Sequence, residues 1–144
     1  MATTYNDIIS TLKEYFNDNW VDGGSPRTPV AWPNVKFESQ GLPAWVRMYV
    51  RHSESGRQLI TGEIASGQVF RGLIFVDVFI PANTSTEVSD TLMDHVRDLW
   101  NEKRVEISPG KVIICLVPEP DEIGDDGKGW YQSQMRIPFE FLES

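Results

Sequence analysis

Arg71-Gly72-Leu73-Ile74-Phe75-Val76-Asp77-Val78-Phe79-Ile80-Pro81 is the longest stretch of the chain that is both apolar and rich in β-branched and aromatic residues. That composition predicts a central strand. Alternation sends Phe70, Ile74, Val76, Val78 and Ile80 to one side and Leu73, Phe75, Asp77 and Phe79 to the other, so both faces are largely apolar. One face can take helices; the other also needs a cover. Asp77 is the exception on that second face, where a carboxylate between two phenylalanines is costly unless it is paired or near water.

Working outward, Ala44–His52 alternates Trp45, Arg47, Tyr49 and Arg51 against Ala44, Val46, Met48 and Val50, a strand with an aliphatic face and an aromatic, basic one. Ser53-Glu54-Ser55-Gly56 supplies a turn, Arg57–Ile64 a weaker strand and Ser66-Gly67 a second turn or bulge. Turns this short imply an antiparallel meander of three strands ending in the central one. Upstream, Tyr5, Ile8, Ile9, Leu12, Phe16 and Trp20 form one stripe of a helix capped by Thr4, with Asp7 in its first turn. Residues 21–43 carry four prolines and three glycines, which resist regular structure, yet Val30, Trp32, Val35 and Phe37 predict an extended loop pinned to the body.

Downstream, Thr84-Ser85-Thr86-Glu87 reads as a capping box, and Val88, Leu92, Val96, Leu99 and Trp100 as the stripe of a second helix ending near Lys103. Lys111–Val117 is a further apolar strand. Tyr131, Met135, Ile137, Phe139 and Phe141 alternate with polar residues in the last one, where Pro138 predicts an edge position or a solvent-facing gap. The expectation is an α+β fold: a single antiparallel or mixed β-sheet with two main helices packed on one face.

The 144 residues fit a single domain, 1–144. The formal net charge of −8 argues against holding nucleic acid by phosphate neutralisation; Arg47, Arg51 and Arg57 are the only close group of arginines. No apolar run approaches the ~20 residues of a membrane span, and the first residues lack the basic-then-apolar pattern of a secretory signal. A lone cysteine, Cys115, permits no internal disulfide and no cysteine-based metal cluster, which points to a cytoplasmic origin.

Reactive constellations are hard to find. His52 and His95 have no neighbours at metal-ligand spacing, and no nucleophile elbow, phosphate loop or dinucleotide fingerprint occurs. Cys115, in mid-strand, reads as an inert core thiol. Glu119, Asp121, Glu122, Asp125 and Asp126 crowd a Gly-rich stretch with one base, Lys128. A calcium loop would need a ligand where Ile123 stands and a glutamate at its twelfth position, so a mobile, solvated acidic loop is the reading. Trp45, Tyr49, Leu73, Phe75 and Phe79 fall on one sheet face if the meander register holds. They mark either a subunit or partner interface or the seat of the Pro-rich loop through Trp32 and Phe37.

One order of segments resembles a known family. After the amino-terminal helix come Ala31-Trp32-Pro33-Asn34-Val35-Lys36-Phe37, a strand ending in Arg51, and Arg71-Gly72-Leu73 running through Asp77-Val78-Phe79-Ile80-Pro81. A helix follows, then Gly129-Trp130-Tyr131 leading into Ile137-Pro138-Phe139. Together, over residues 5–141, these are similar to the tail terminator proteins of long-tailed bacteriophages, the U-like tail-completion family. Ala82-Asn83-Thr84 departs from the pattern, where a glycine-containing turn is expected.

The resemblance implies a non-enzymatic virion protein at the head-proximal end of the tail, assembled in the host cytoplasm. Such a protein caps the tail tube at its set length and offers a surface for head attachment, typically as a ring of six subunits without a cofactor. The implied partners are the chain itself, the tail tube protein and a head-completion or connector protein, with no membrane. DNA then passes through without specific binding, which favours a net negative lumen lined or rimmed by Glu119, Asp121, Glu122, Asp125 and Asp126. The alternatives are another neck connector or stopper protein, or a small ligand-binding or enzymatic module using residues 118–130.

Overall fold

The computed structural model describes residues 3–52, 63–64 and 70–143. The chain runs through β1 (Thr3–Thr4), α1 (Tyr5–Asn19), β2 (Val21–Asp22), β3 (Ser25–Pro26), β4 (Val30–Ala31), β5 (Trp45–His52), β6 (Glu63–Ile64) and β7 (Phe70–Pro81). It continues through α2 (Glu87–Trp100), β8 (Arg104–Ser108), β9 (Lys111–Cys115), β10 (Glu119–Asp125) and β11 (Trp130–Glu143). The α+β class holds, but the single sheet does not: a seven-stranded mixed sheet is accompanied by two-stranded pairs β1–β6 and β2–β3.

The main sheet has the order β4-β5-β7-β11-β9-β8, with β10 also on β11. The three-strand meander is corrected. β5 pairs directly with β7, from Trp45 opposite Phe79 to His52 opposite Gly72, and Glu63–Ile64 pairs with Thr3–Thr4 instead of joining the main sheet. The turns at 53–56 and 66–67 and most of the Arg57–Ile64 strand, Arg57 included, lie outside the described residues. β11 is interior. It pairs with β7 along one edge, while its other edge serves β10 over its first half and β9 over its second. Pro138 sits at the junction of those two partners, where its carbonyl accepts from Leu116 N at 2.9 Å. Because the N–H and C=O of a strand residue point the same way, the missing donor faces that junction and not β7.

Local chemistry explains most element ends. Thr4 and Asp7 form a reciprocal capping box at α1. The second box does not form: Thr86 makes no side-chain cap, and Ser85 Oγ accepts from Glu87 N at 3.0 Å instead. α2 ends at Trp100, short of Lys103. Gly23 and Gly24 take φ of 63° and 89° between β2 and β3, the left-handed pair a two-residue hairpin turn needs. At the departure after the central strand, Asn83 adopts φ 64°; asparagine is the residue that best substitutes for glycine there.

One core lies between the sheet and the helices. Ile8, Leu12 and Phe16 of α1 and Leu92, Met93, Val96 and Trp100 of α2 join Ile74, Val76, Val78, Ile80, Met135, Ile137 and Phe139 in one buried cluster. Phe16 stacks on both Trp20 and Trp100. Val88, assigned to the α2 stripe, is instead exposed. The 21–43 segment contains three short strands, and its anchors diverge. Trp32 meets Phe16 edge-on at 6.2 Å on the helix side, Phe37 tilts against Trp45 at 5.0 Å on the other, and Val35 is exposed.

Gly72 is where this packing leaves no room: a Cβ there would lie 2.5 Å from the Phe139 ring and 2.9 Å from the Arg51 carbonyl oxygen. Gly72→Ala is expected to destabilise the fold by about 1–3 kcal/mol, as overpacking does, read as a lower urea midpoint. Trp32→Ala is expected to cost about 2 kcal/mol, below the range for a fully buried tryptophan because the residue is only partly buried against the core. A melting temperature unchanged by Trp32→Ala would show the segment to be unanchored.

Candidate functional site

The face of the sheet away from the helices is built from the odd residues of β5 and β7 and the even residues of β11. Register aligns them in rows: Trp45, Phe79 and Gln132; Arg47, Asp77 and Gln134; Tyr49, Phe75 and Arg136; Arg51, Leu73 and Pro138. Such cross-strand neighbours are the unit of sheet stabilisation. The five residues expected to share a face, Trp45, Tyr49, Leu73, Phe75 and Phe79, do share it.

The second row resolves the problem posed by Asp77, which is 0% exposed. Arg47 donates to Oδ2 through Nε at 2.9 Å and Nη2 at 2.6 Å. Gln134 Nε2 donates to Oδ1 at 2.8 Å and to the Tyr49 hydroxyl at 3.3 Å. Both carboxylate oxygens are therefore satisfied by the strands on either side, which offsets the cost of burying a charge. Burial and then the Asp77 carboxylate push the Tyr49 hydroxyl up from its ordinary value, so it stays neutral.

The face divides into a covered end and an open end. At the covered end Trp45 stacks on Phe79 at 4.0 Å and takes Phe37 and the edge of Trp130 on its other sides. The Pro-rich segment thus covers this end through Phe37. At the open end Tyr49 stacks on Phe75 at 4.9 Å, and the Arg47 and Arg51 guanidinium groups lie 5.7 Å and 5.3 Å from the Tyr49 ring centre. Tyr49, Leu73 and Phe75 remain half-buried there and Arg51 is exposed. A concavity of about 470 Å³ opens beside them, bounded by Pro33, Arg47, Tyr49, Val50 and Arg51.

The acidic stretch is not a loop, and this expectation is corrected. Glu119–Asp125 is a strand paired with Tyr131–Arg136, with a bulge between Glu122 and Gly124. Its backbone is satisfied by the free edge of β11, and its acids point to solvent, so tertiary pairing overrides a poor strand propensity. The five acids are also separated. Glu119 and Asp121 lie opposite Arg136 and Gln134 in the rows of the open face, whereas Glu122 lies opposite Ser133 towards the helices. Asp125, the last residue of β10, and Asp126 hold the turn: Asp125 Oδ1 accepts from Gly127 N, and Asp126 Oδ1 accepts from Lys128 N and Trp130 N.

Cys115 is buried in the core, and burial pushes its thiol up to about 12. Sequence reasoning found the aromatic face but missed the Arg47–Asp77–Gln134 network. The signal was present as an isolated carboxylate in an apolar strand with an arginine in the neighbouring one.

What the fold and this face define together is a small α+β module with one buried core shared by helices and sheet and an aromatic, charged surface outside it. The chain belongs to the phage tail terminator family, whose model matches residues 7–139. The family is structural rather than enzymatic. The chain accordingly has a structural role in the phage tail, as a virion component that interacts with other tail and head proteins. Nine solved chains match in structure. One is similar over 99% of this chain and 98% of its own length, with a TM-score of 0.74 at 16% identity, a likeness of fold alone. No curated protein matches.

Two outcomes follow from the geometry. Arg47→Met is expected to cost about 3 kcal/mol because it strands a buried charge, while Arg47→Met with Asp77→Leu is expected to recover most of that loss; urea unfolding of the four members of the cycle measures both. Cys115 is expected to resist alkylation at pH 8 in the folded chain and to react once urea is added. Its raised value favours the neutral thiol in the fold, so its stabilising contribution is full below about pH 9 and is lost as pH rises towards about 12.

Proposed function

We propose that this chain ends tail assembly: it caps the tail tube at its set length, stops further polymerisation and presents the surface to which the head attaches. The observation that carries the proposal is the family match over residues 7–139. The reading extends to a homohexameric ring at the head-proximal end of the tail, contacting tube protein on one side and a head-completion or connector protein on the other. The surface formed by Trp45, Tyr49, Leu73, Phe75 and Phe79 is the candidate contact, strongest at its open end, where Tyr49, Leu73 and Phe75 remain half-buried.

The net charge of −8 per chain supports free passage of DNA through such a ring, since carboxylates repel phosphate. Glu119, Asp121, Glu122, Asp125 and Asp126 do not lie on one side of the sheet, so only part of this set can line a channel.

The test is complementation. In a lysate lacking this protein, tail tubes are expected to grow beyond their normal length and to fail to join heads. Adding the purified chain before tubes elongate is expected to restore uniform length and joining, read by electron microscopy. Tubes of normal length without the protein would overturn the capping role; normal length with failed joining would favour a neck connector instead.

A further inference from the structure

β4 ends early and leaves part of a strand edge bare. Trp32 turns towards Phe16, and Val35 N closes a turn on the Trp32 carbonyl at 3.2 Å, with Pro33 and then Asn34 at φ 57° as its central residues. β4 therefore pairs with β5 only at Val46 and Arg47. Val46 N donates to Pro29 O at 3.1 Å, so the even residues of β5 direct their N–H and C=O away from β7. Val50 lies past the end of β4, and its outward N–H and C=O meet no backbone partner among the described residues. The concavity of about 470 Å³ opens at this point, with Val50 and Pro33 along the edge and Arg47, Tyr49 and Arg51 from the outer face.

The other edge of these rows is closed to strand pairing. The Pro138 carbonyl accepts from Leu116 N, so even residues of β11 serve the β9 and β10 side and odd ones serve β7. Pro120 lies opposite Met135; this pair exchanges no hydrogen bond, and Pro120 turns its missing donor to the free edge. Proline and charge are the usual guards of an exposed edge. β5 has no proline from Trp45 to His52, and the lining of its concavity holds two guanidinium groups and no carboxylate. Arg47 is committed to Asp77. Arg51 is exposed, has no ion pair among the described residues, and lies 5.3 Å from the Tyr49 ring centre.

A strand laid along Val50 would set alternate side chains beside Arg51 and Tyr49 on the outer face. Carboxylates at those positions meet a counter-charge. The β5 edge of a second copy would bring its own Arg47 and Arg51, like against like, and the acidic β10 of a second copy has Pro120 on the edge it would offer. Nucleic acid supplies charge but no main-chain donors and acceptors at strand spacing, and a chain of net charge −8 repels it at long range.

We propose that the free edge of β5 at Val50 takes an extended acidic segment of a partner protein as an added strand, its outer-face carboxylates meeting Arg51 beside the Tyr49 ring. This rests on the reading of the open end as a contact with other tail or head proteins and adds the form of the partner. Its main chain pairs with Val50, and its alternate side chains carry the charge. The Arg51 guanidinium is already packed on an aromatic ring, which lowers the entropy lost on docking.

The experiment titrates the whole isotope-labelled chain with a synthetic peptide alternating glutamate with valine, of about eight residues, the length of an ordinary strand. Saturable shifts are expected at the Tyr49, Val50 and Arg51 amides. At saturation the Val50 N–H is expected to exchange with solvent at least roughly tenfold more slowly, a protection that charge attraction alone does not give. Arg51→Glu, with an unchanged melting temperature, is expected to weaken binding by roughly tenfold, and lysine in place of glutamate in the peptide to weaken it as much. Shifts confined to other residues, an unprotected Val50 N–H, or equal binding of the lysine peptide would overturn the strand site. Displacement of the peptide by a short oligothymidylate would also overturn it, assigning the concavity to nucleic acid. Neither tubes nor heads are present in the titration, so its failure leaves the capping role intact, whereas tubes of normal length without the protein remove that role and leave the titration result standing.

Discussion

A carboxylate with no exposure, in the middle of the central strand, constrains the rest of the sheet. Asp77 is tolerable only where Arg47 reaches it from β5 and Gln134 from β11. Sliding either neighbour by one residue would turn its apolar set out of the core; sliding it by two would keep the faces but break the row. Hydrophobic alternation fixes which residues face the helices, and the polar row then selects one register among those alternation allows. Breaking the pair from the arginine side therefore costs more than exchanging both members for apolar ones.

The same row gives the outer face its character. It keeps one arginine, one glutamine and a neutral tyrosine ordered among aromatic rings, so the face is neither a second core nor a purely solvated surface. Phe37 closes one end and leaves Tyr49, Phe75 and Arg51 at the other.

Much of this was legible beforehand. Strong periodicity located α1, α2, β5, β7 and β11, and alternation assigned the faces of β7 correctly because a period of two leaves no freedom once one face is apolar. Strand pairing was less legible. Short turns suggested a meander, yet β5 and β7 are direct neighbours, and the β-pairing of Glu63–Ile64 goes to Thr3–Thr4. The β10 strand was invisible for a related reason: Glu119, Pro120, Asp121, Glu122 and Gly124 carry almost no strand propensity, and what orders them is the free edge of a long neighbour.

The sequence by itself determined the class of fold, the two faces of the central strand, the inert core thiol and the family resemblance, since each depends on local periodicity or on an order of segments. Tertiary structure alone decided the partner of Asp77, the division of the acids between two faces and a turn, and the direct pairing of β5 with β7. Those depend on which strands lie side by side, and neighbours in a sheet are set by contacts between residues as far apart in the chain as Arg47, Asp77 and Gln134, which no local pattern encodes.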